Sequence, residues 1–270
     1  MDHSLYLVSS TMLWSLPPER WFQIAEEEGL AGVEVWAQQL DSCGISADTV
    51  RRLALSHGLA VTVHNYSWDM NLISLDASMR AAAVALTKKG IELAAFLHSP
   101  QITIHPGRDG LGIPGANFDQ ELADSFRYLS RYAEEEGVCA SFEIMEKIPK
   151  ERLTSAGAVL RVEALAGGRI SWGYTEDVAH CDSVEEIFHT AETLKGRIRE
   201  FHVSNKKGTV RHIGDVEHGD FHLPQILPKL EAYGLPMALE GFDPSPTAER
   251  LYRTLAWIRK GNEELRKIAL

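Results

Sequence analysis

Short apolar runs alternate with longer amphipathic stretches along the chain, the pattern of repeated βα units around a parallel sheet. Eight runs predict strands: Leu5 to Val8, Gly32 to Trp36, Ala60 to His64, Ile102 to His105, Cys139 to Glu143, Ile170 to Tyr174, Ile198 to His202 and Met237 to Glu240. Each is followed by a helical stretch. The clearest are Pro17 to Glu28, entered through prolines and ended by Gly29, and Phe118 to Glu136, ended by Gly137, the usual punctuation of a helix. No Pro- or Ser-rich linker separates the units, and an open sheet would leave two edges to protect. The sequence therefore predicts an α/β fold, a closed (β/α)₈ TIM barrel spanning residues 1–270 as a single domain. The competing arrangement is a doubly wound open sheet. Against it, the first βα turn, SSTMLWSLPP, lacks a glycine-rich phosphate fingerprint.

Composition changes this picture little. Apolar residues make up 44% and charged residues 24% of the chain, a balance that allows a sizeable core and excludes a disordered chain. No run approaches the roughly 20 apolar residues of a membrane span, and the start lacks the marks of a signal peptide, so a cytoplasmic protein without membrane partners is expected. Cys43, Cys139 and Cys181 are odd in number and widely spaced, which fits reduced thiols without an assigned role. A formal charge of -11 disfavours nucleic acid as a partner, because such affinity comes largely from cations displacing counterions.

The candidate chemistry lies at the strand ends. His64 ends the third strand, His105 the fourth, Glu143 the fifth, His202 the seventh and Glu240 the eighth, with Asp177 just past the sixth. In a barrel these positions meet at one mouth, so side chains spread over roughly 180 residues become neighbours. Taken singly, each histidine has a bland reading as a satisfied or solvated side chain. Carboxylates closing apolar strands, as Glu143 and Glu240 do, are stronger signals, since a buried Asp or Glu needs a partner or a metal. The mixed imidazole and carboxylate set suits a divalent ion, Mn²⁺, Zn²⁺, Co²⁺ or Mg²⁺, and no organic cofactor is indicated.

Several of these pieces carry a resemblance: GVEVW at 32–36, HNYSWDMNL at 64–72, IHPG at 104–107, Phe142–Glu143, DVAH at 177–180, FHVSN at 201–205, RHIG at 211–214 and ALEG at 238–241. In this order and spacing the chain resembles the xylose isomerase-like TIM barrel superfamily, which holds sugar isomerases and epimerases, related dehydratases and the endonuclease IV type of apurinic endonuclease. The resemblance implies a metal site of Glu143, Asp177, His202 and Glu240. The endonuclease branch implies two more, one on His64, His105 and Glu143 and one on His180 with an Asp-x-His pair. Here that pair reads Val210, Arg211, His212, and valine cannot coordinate a cation. The departure favours the isomerase side, where His180 and Arg211 or His212 would touch substrate. A second glutamate found in many ketose 3-epimerases, six residues after the fifth-strand one, is replaced by Pro149; Glu146 is the nearest substitute, its bland reading being a loop charge.

The resemblance thus implies a metal-dependent isomerase or epimerase of a sugar or sugar derivative, moving a proton through an enediolate with Glu143 and Glu240 as base and acid. His64 and His105 would shape the pocket or bind a second ion. An endonuclease, a dehydratase of a polyol or keto acid, and a barrel that only binds metal or sugar are the alternatives. The expected partner is a small sugar, with a homo-oligomer as the expected assembly. Trp14, Trp36, Tyr66, Trp68 and Phe242 lie near the predicted mouth with two readings each, packing and sugar stacking. His57, His98 and His189 read as helical and structural, and His218 and His222 carry no motif.

Overall fold

A computed structural model describes residues 3–110 and 118–268. Its eight strands, β1 (Tyr6–Ser9), β2 (Gly32–Trp36), β3 (Ala60–His64), β4 (Gln101–Ile104), β5 (Cys139–Ile144), β6 (Gly173–Asp177), β7 (Ile198–Val203) and β8 (Met237–Leu239), pair in parallel in chain order. β8 returns to β1 through Tyr6 opposite Met237, and the sheet closes. The helices α1 (Pro18–Glu27), α2 (Ala37–Cys43), α3 (Ala47–His57), α4 (Ala77–Phe96), α5 (Phe118–Glu135), α6 (Ala156–Ala166), α7 (Val184–Thr193), α8 (Leu223–Glu231) and α9 (Glu249–Ile268) connect the strands or follow the last. None is long and apolar enough to cross a membrane among the described residues.

The strands alternate with period two between two buried faces. Val33, Val35, Val61, Val63, Ile102, Ile104, Phe142 and Phe201 belong to the hydrophobic core. The alternate positions carry polar side chains that bond to each other. Thr175 reaches the hydroxyls of Thr103 and Ser141 at 2.9 and 2.8 Å, and Glu200 accepts from Thr62 at 3.0 Å and from Gln101. A TIM barrel interior is more often filled by branched apolar residues; here hydrogen bonds fill it and lead up to the polar mouth.

Several strand boundaries differ from the sequence expectation by one residue, and β6 by three. β6 runs Gly173–Asp177 rather than Ile170–Tyr174, so Asp177 is its last residue and not a loop residue beyond it. The apolar signal came from the approach to the strand, where Trp172 packs edge-on to Phe126 and Phe142, whereas the polar Thr175 and Asp177 continue the ladder. β4 stops at Ile104 and β8 at Leu239, which leaves His105 and Glu240 one residue past their strands. β1 is shifted by one residue toward Ser9. His98 lies in the turn after α4 at φ 58°, outside the helix expected to hold it.

Candidate active site

The floor of the mouth is built from the last turns of backbone on six strands. Glu143 stands at its centre. Its Oε2 is 2.9 Å from His105 Nε2 and 3.6 Å from His64 Nε2, and its Oε1 is 3.7 Å from His202 Nδ1 and 3.5 Å from His180 Nδ1. His202 Nδ1 also lies 3.1 Å from Glu240 Oε2. His180 and His212 each approach Asp177 Oδ2 at 3.9 Å. The ligand atoms of Glu143, Asp177 and His202 lie within 4.8 Å of one another, and four further groups meet the same limit: His64 with His105 and Glu143, and Asp177 with His180 and His212, at the mouth, Glu34 with Glu200 and His202 deeper in the barrel, and the exposed Asp215, Glu217 and His218. Glu240 joins the first group through its contact with His202.

Local backbone sets these directions. Nδ1 of His64 bonds the carbonyl of Asn65 at 2.9 Å, which turns Nε2 toward Glu143. His180 Nδ1 bonds the Ile144 carbonyl at 3.0 Å, which turns Nε2 toward Glu146 Oε2 at 3.6 Å. Oδ1 of Asp177 accepts from the amide of Ala179, freeing Oδ2 for the cavity. His212 is held at φ 49°, in the left-handed region that a side chain occupies at a cost. Arg250 of α9 secures that loop by donating to the carbonyls of His212 and Ile213 at 2.8 Å, and reaches Phe242 O on the facing loop at 2.8 Å.

Charge at the floor is mutual. Burial alone would raise the Glu143 carboxyl, yet His105, His202 and His64 hold it well below the usual range. Glu240 is likewise lowered against its burial by His202 and His212. Burial raises Asp177 to about 6. His180 is opposed by burial but raised to about 9 by Asp177, Glu143 and Glu146, so it carries its proton. Deeper in the barrel, burial and Glu34 push Glu200 up to about 8.

Five buried atoms at this floor lack a hydrogen bond among the described residues: His64 Nε2, Glu143 Oε2, Asp177 Oδ2, His202 Nδ1 and Glu240 Oε2. An unsatisfied buried polar group costs about 1–3 kcal/mol, so five together would be a heavy burden on a fold whose net stability is about 5–15 kcal/mol. All five are nitrogen or carboxylate donors of the kind that bind divalent ions, and a cation among them would remove the penalty. The residues fit such an ion.

Above the floor opens a cavity of about 580 Å³, within the range of small-molecule sites. His105, Glu143, Glu146, His180, Arg211, His212 and Glu240 supply its polar wall, and Trp14, Trp36, Trp68, Met145 and Phe242 its apolar one. The packing partners of Trp14 are Trp68 and Phe242, at 5.6 and 5.3 Å between centroids. Trp36 stacks on His64 at 3.7 Å. Tyr66 does not join this wall; it is buried beside the site and its hydroxyl donates to Asp41 at 2.9 Å. His57, His218 and His222 contact Glu26, Asp215 and Trp257 respectively, away from the floor. Val210 is exposed.

Sequence reasoning missed Glu34, Arg108 and Arg250. Glu34 is fully buried on β2 with Oε1 3.0 Å from His202 Nε2. Its signal was a lone carboxylate inside the apolar run GVEVW. Arg108, next after the IHPG piece, lines the cavity and pairs with Glu151 at 2.6 Å. Arg250 offered no local signal, because its partners lie about 40 residues earlier and on a neighbouring loop.

Comparison with known proteins agrees with this architecture. The uncharacterized protein MJ1188 of Methanocaldococcus jannaschii is 30% identical over 132 residues, 47% of either chain, so the match spans about half the length of that curated relative. Solved structures with the same fold include a D-tagatose 3-epimerase-like protein (TM-score 0.77, 19% identity, 96% of this chain and 99% of that one) and a 3-keto-D-glucoside 4-epimerase from E. coli (0.73, 15%, 95% and 99%). An L-ribulose 3-epimerase superposes with a TM-score of 0.72 at 15% identity over 97% of both chains. Residues 22–261 match the family described as the xylose isomerase-like TIM barrel. With its closed eight-stranded barrel and a match over most of its length, this chain belongs to the xylose isomerase-like TIM barrel family.

Proposed function

We propose that the chain is a divalent-metal-dependent isomerase or epimerase of a sugar or sugar derivative, with the ion held by Glu143, Asp177, His202 and Glu240. The observation that carries this reading is the convergence of buried nitrogen and carboxylate ligand atoms, none of the five with a hydrogen bond, beneath a cavity of small-molecule size. When bound, a divalent cation stabilises negative charge developing on a substrate carbonyl oxygen and so makes the neighbouring C–H more acidic. The protein's own groups do the rest. Glu143 and Glu240, on different strands, exchange the proton on that carbon, one removing it and the other delivering one. His180, anchored on the Ile144 carbonyl, presents Nε2 to a substrate hydroxyl. Arg211 and His212 supply further donors on the same wall, and the Trp14, Trp68 and Phe242 cluster offers apolar faces to the ring or chain of the sugar. The epimerases among the structural neighbours support the same chemistry by analogy of fold.

Solvent exchange tests the proposal. In deuterated water with Mn²⁺ or Co²⁺, at least one member of a panel of free ketoses and ketose phosphates should take up deuterium at the carbon next to the carbonyl. No uptake by any member would contradict it, and uptake followed by loss of water would identify a dehydratase.

One observation favours a second reading. The His64, His105, Glu143 and Asp177, His180, His212 groups resemble the additional metal positions of the endonuclease branch. Nicking of an abasic duplex above the level of a Glu143→Gln control would support that activity in place of sugar chemistry.

A further inference from the structure

The imidazole of His202 meets carboxylates on both sides. Nδ1 faces Glu240 and Glu143 at the cavity floor, while Nε2 lies 3.0 Å from Oε1 of Glu34 inside the barrel. An imidazole that gives Nδ1 to a cation must be neutral, and its one remaining proton then sits on Nε2. The Glu34 carboxylate, with Oε1 3.0 Å away, is the acceptor that faces this nitrogen. The other oxygen of the same carboxylate, Oε2, accepts from the indole Nε1 of Trp36 at 3.2 Å. That indole in turn lies on the ring of His64, 3.7 Å between centroids and 6° from parallel. A single carboxylate on β2 therefore touches one imidazole of the floor directly and reaches a second through one intervening ring.

Resting on the metal reading above, we infer that Glu34 is the positioning residue of the centre: it fixes which nitrogen of His202 faces the cavity and, through Trp36, seats His64. Carboxylate support behind a metal-binding histidine raises the basicity of the ligating nitrogen and restricts ring rotation. The arrangement also accounts for a fully buried carboxylate in the middle of a strand, where an apolar side chain would otherwise pack at no electrostatic cost. Glu200, hydrogen-bonded to Thr62 and Gln101, brings a carboxylate oxygen within 4.8 Å of both Glu34 and His202 from inside the barrel and does not line the cavity.

The test uses cobalt binding and does not depend on turnover. Chelator competition gives the Co²⁺ affinity, and NMR of the cobalt-loaded protein reports the solvent-exchangeable imidazole N–H protons next to the ion. Glu34→Gln keeps the shape and removes the charge. It should bind Co²⁺ about 10–100-fold more weakly and shift or lose the His202 Nε2–H resonance, with Glu34→Asp recovering part of both. Trp36→Phe, which keeps an aromatic ring over His64 but removes the indole donor, should weaken binding in the same direction by about threefold to tenfold. Glu34→Gln affinity within about twofold of the parent, with an unmoved resonance, overturns the inference. If Glu34→Gln does not fold, Trp36→Phe decides on the same two readouts. A parent protein that takes up no Co²⁺ would instead defeat the metal reading, and this inference with it.

Discussion

At the floor of the cavity, imidazoles and carboxylates serve as each other's counter-charges, and this arrangement makes the metal-free protein sensitive to pH. Asp177 is raised to about 6, Glu151 to about 7, Glu200 to about 8 and His180 to about 9. A group whose pKa is higher folded than unfolded holds more protons in the folded state between the two values, so its contribution is complete below the unfolded pKa and is lost as pH rises through the folded one. Glu143 and Glu240 are lowered and act oppositely; their contribution is present above the ordinary carboxylate range and disappears in acid. The melting temperature of chelator-treated protein should therefore fall as pH is raised from about 6 to about 9. A saturating divalent cation should flatten the slope, because it takes over the charge that protons supply. Calorimetry across that interval with and without Mn²⁺ checks this, and a rising metal-free profile would contradict it. That His64, His105, Glu143, Asp177, His202 and Glu240 stand at or beside strand ends was legible from sequence at this scale because chain position alone names them. Glu34 was not, since its role comes from His202, a residue five strands later in the chain that only barrel closure brings near.

Between strand and helix, the site depends on how closely α4 approaches β3. A Cβ on Gly90 would stand 2.0 Å from Oδ1 of Asn65 and 3.1 Å from Ile102 Cδ1. Asn65 is fully buried and fixed by its amide on the Thr103 carbonyl at 2.9 Å and by its side chain on Thr87 at 3.2 Å, so it has nowhere to move. Its carbonyl is the group that orients His64. Gly90→Ala gains about 1 kcal/mol in helix propensity but forces an overlap of the kind that costs about 1–3 kcal/mol, and at so short a contact the overlap prevails. Net destabilisation of about 1–2 kcal/mol in urea unfolding is expected; a stabilised variant would show that the helix can withdraw from Asn65 freely. The helix punctuation at Pro17 and Gly137 was readable from local rules. The limits of β6 were not, because apolar content marks where a chain packs and the inward face of this barrel is polar.

Across the whole molecule, eight parallel strands bring residues from 64 to 240 of the chain around one opening, and the strand order read from sequence is the one observed. That closure was legible because it follows from counting βα units. The cavity was not, because its aromatic wall joins Trp14, Trp68 and Phe242 from loops after three different strands, and no local pattern links them. The proposed function requires that the closed barrel make a cation site of Glu143, Asp177, His202 and Glu240. Anomalous scattering from crystals grown with Mn²⁺, Co²⁺ or Zn²⁺ measures it directly. A peak is expected between those four side chains with one or more of the three ions; no peak there with any of them, at saturating metal, would contradict the cation site.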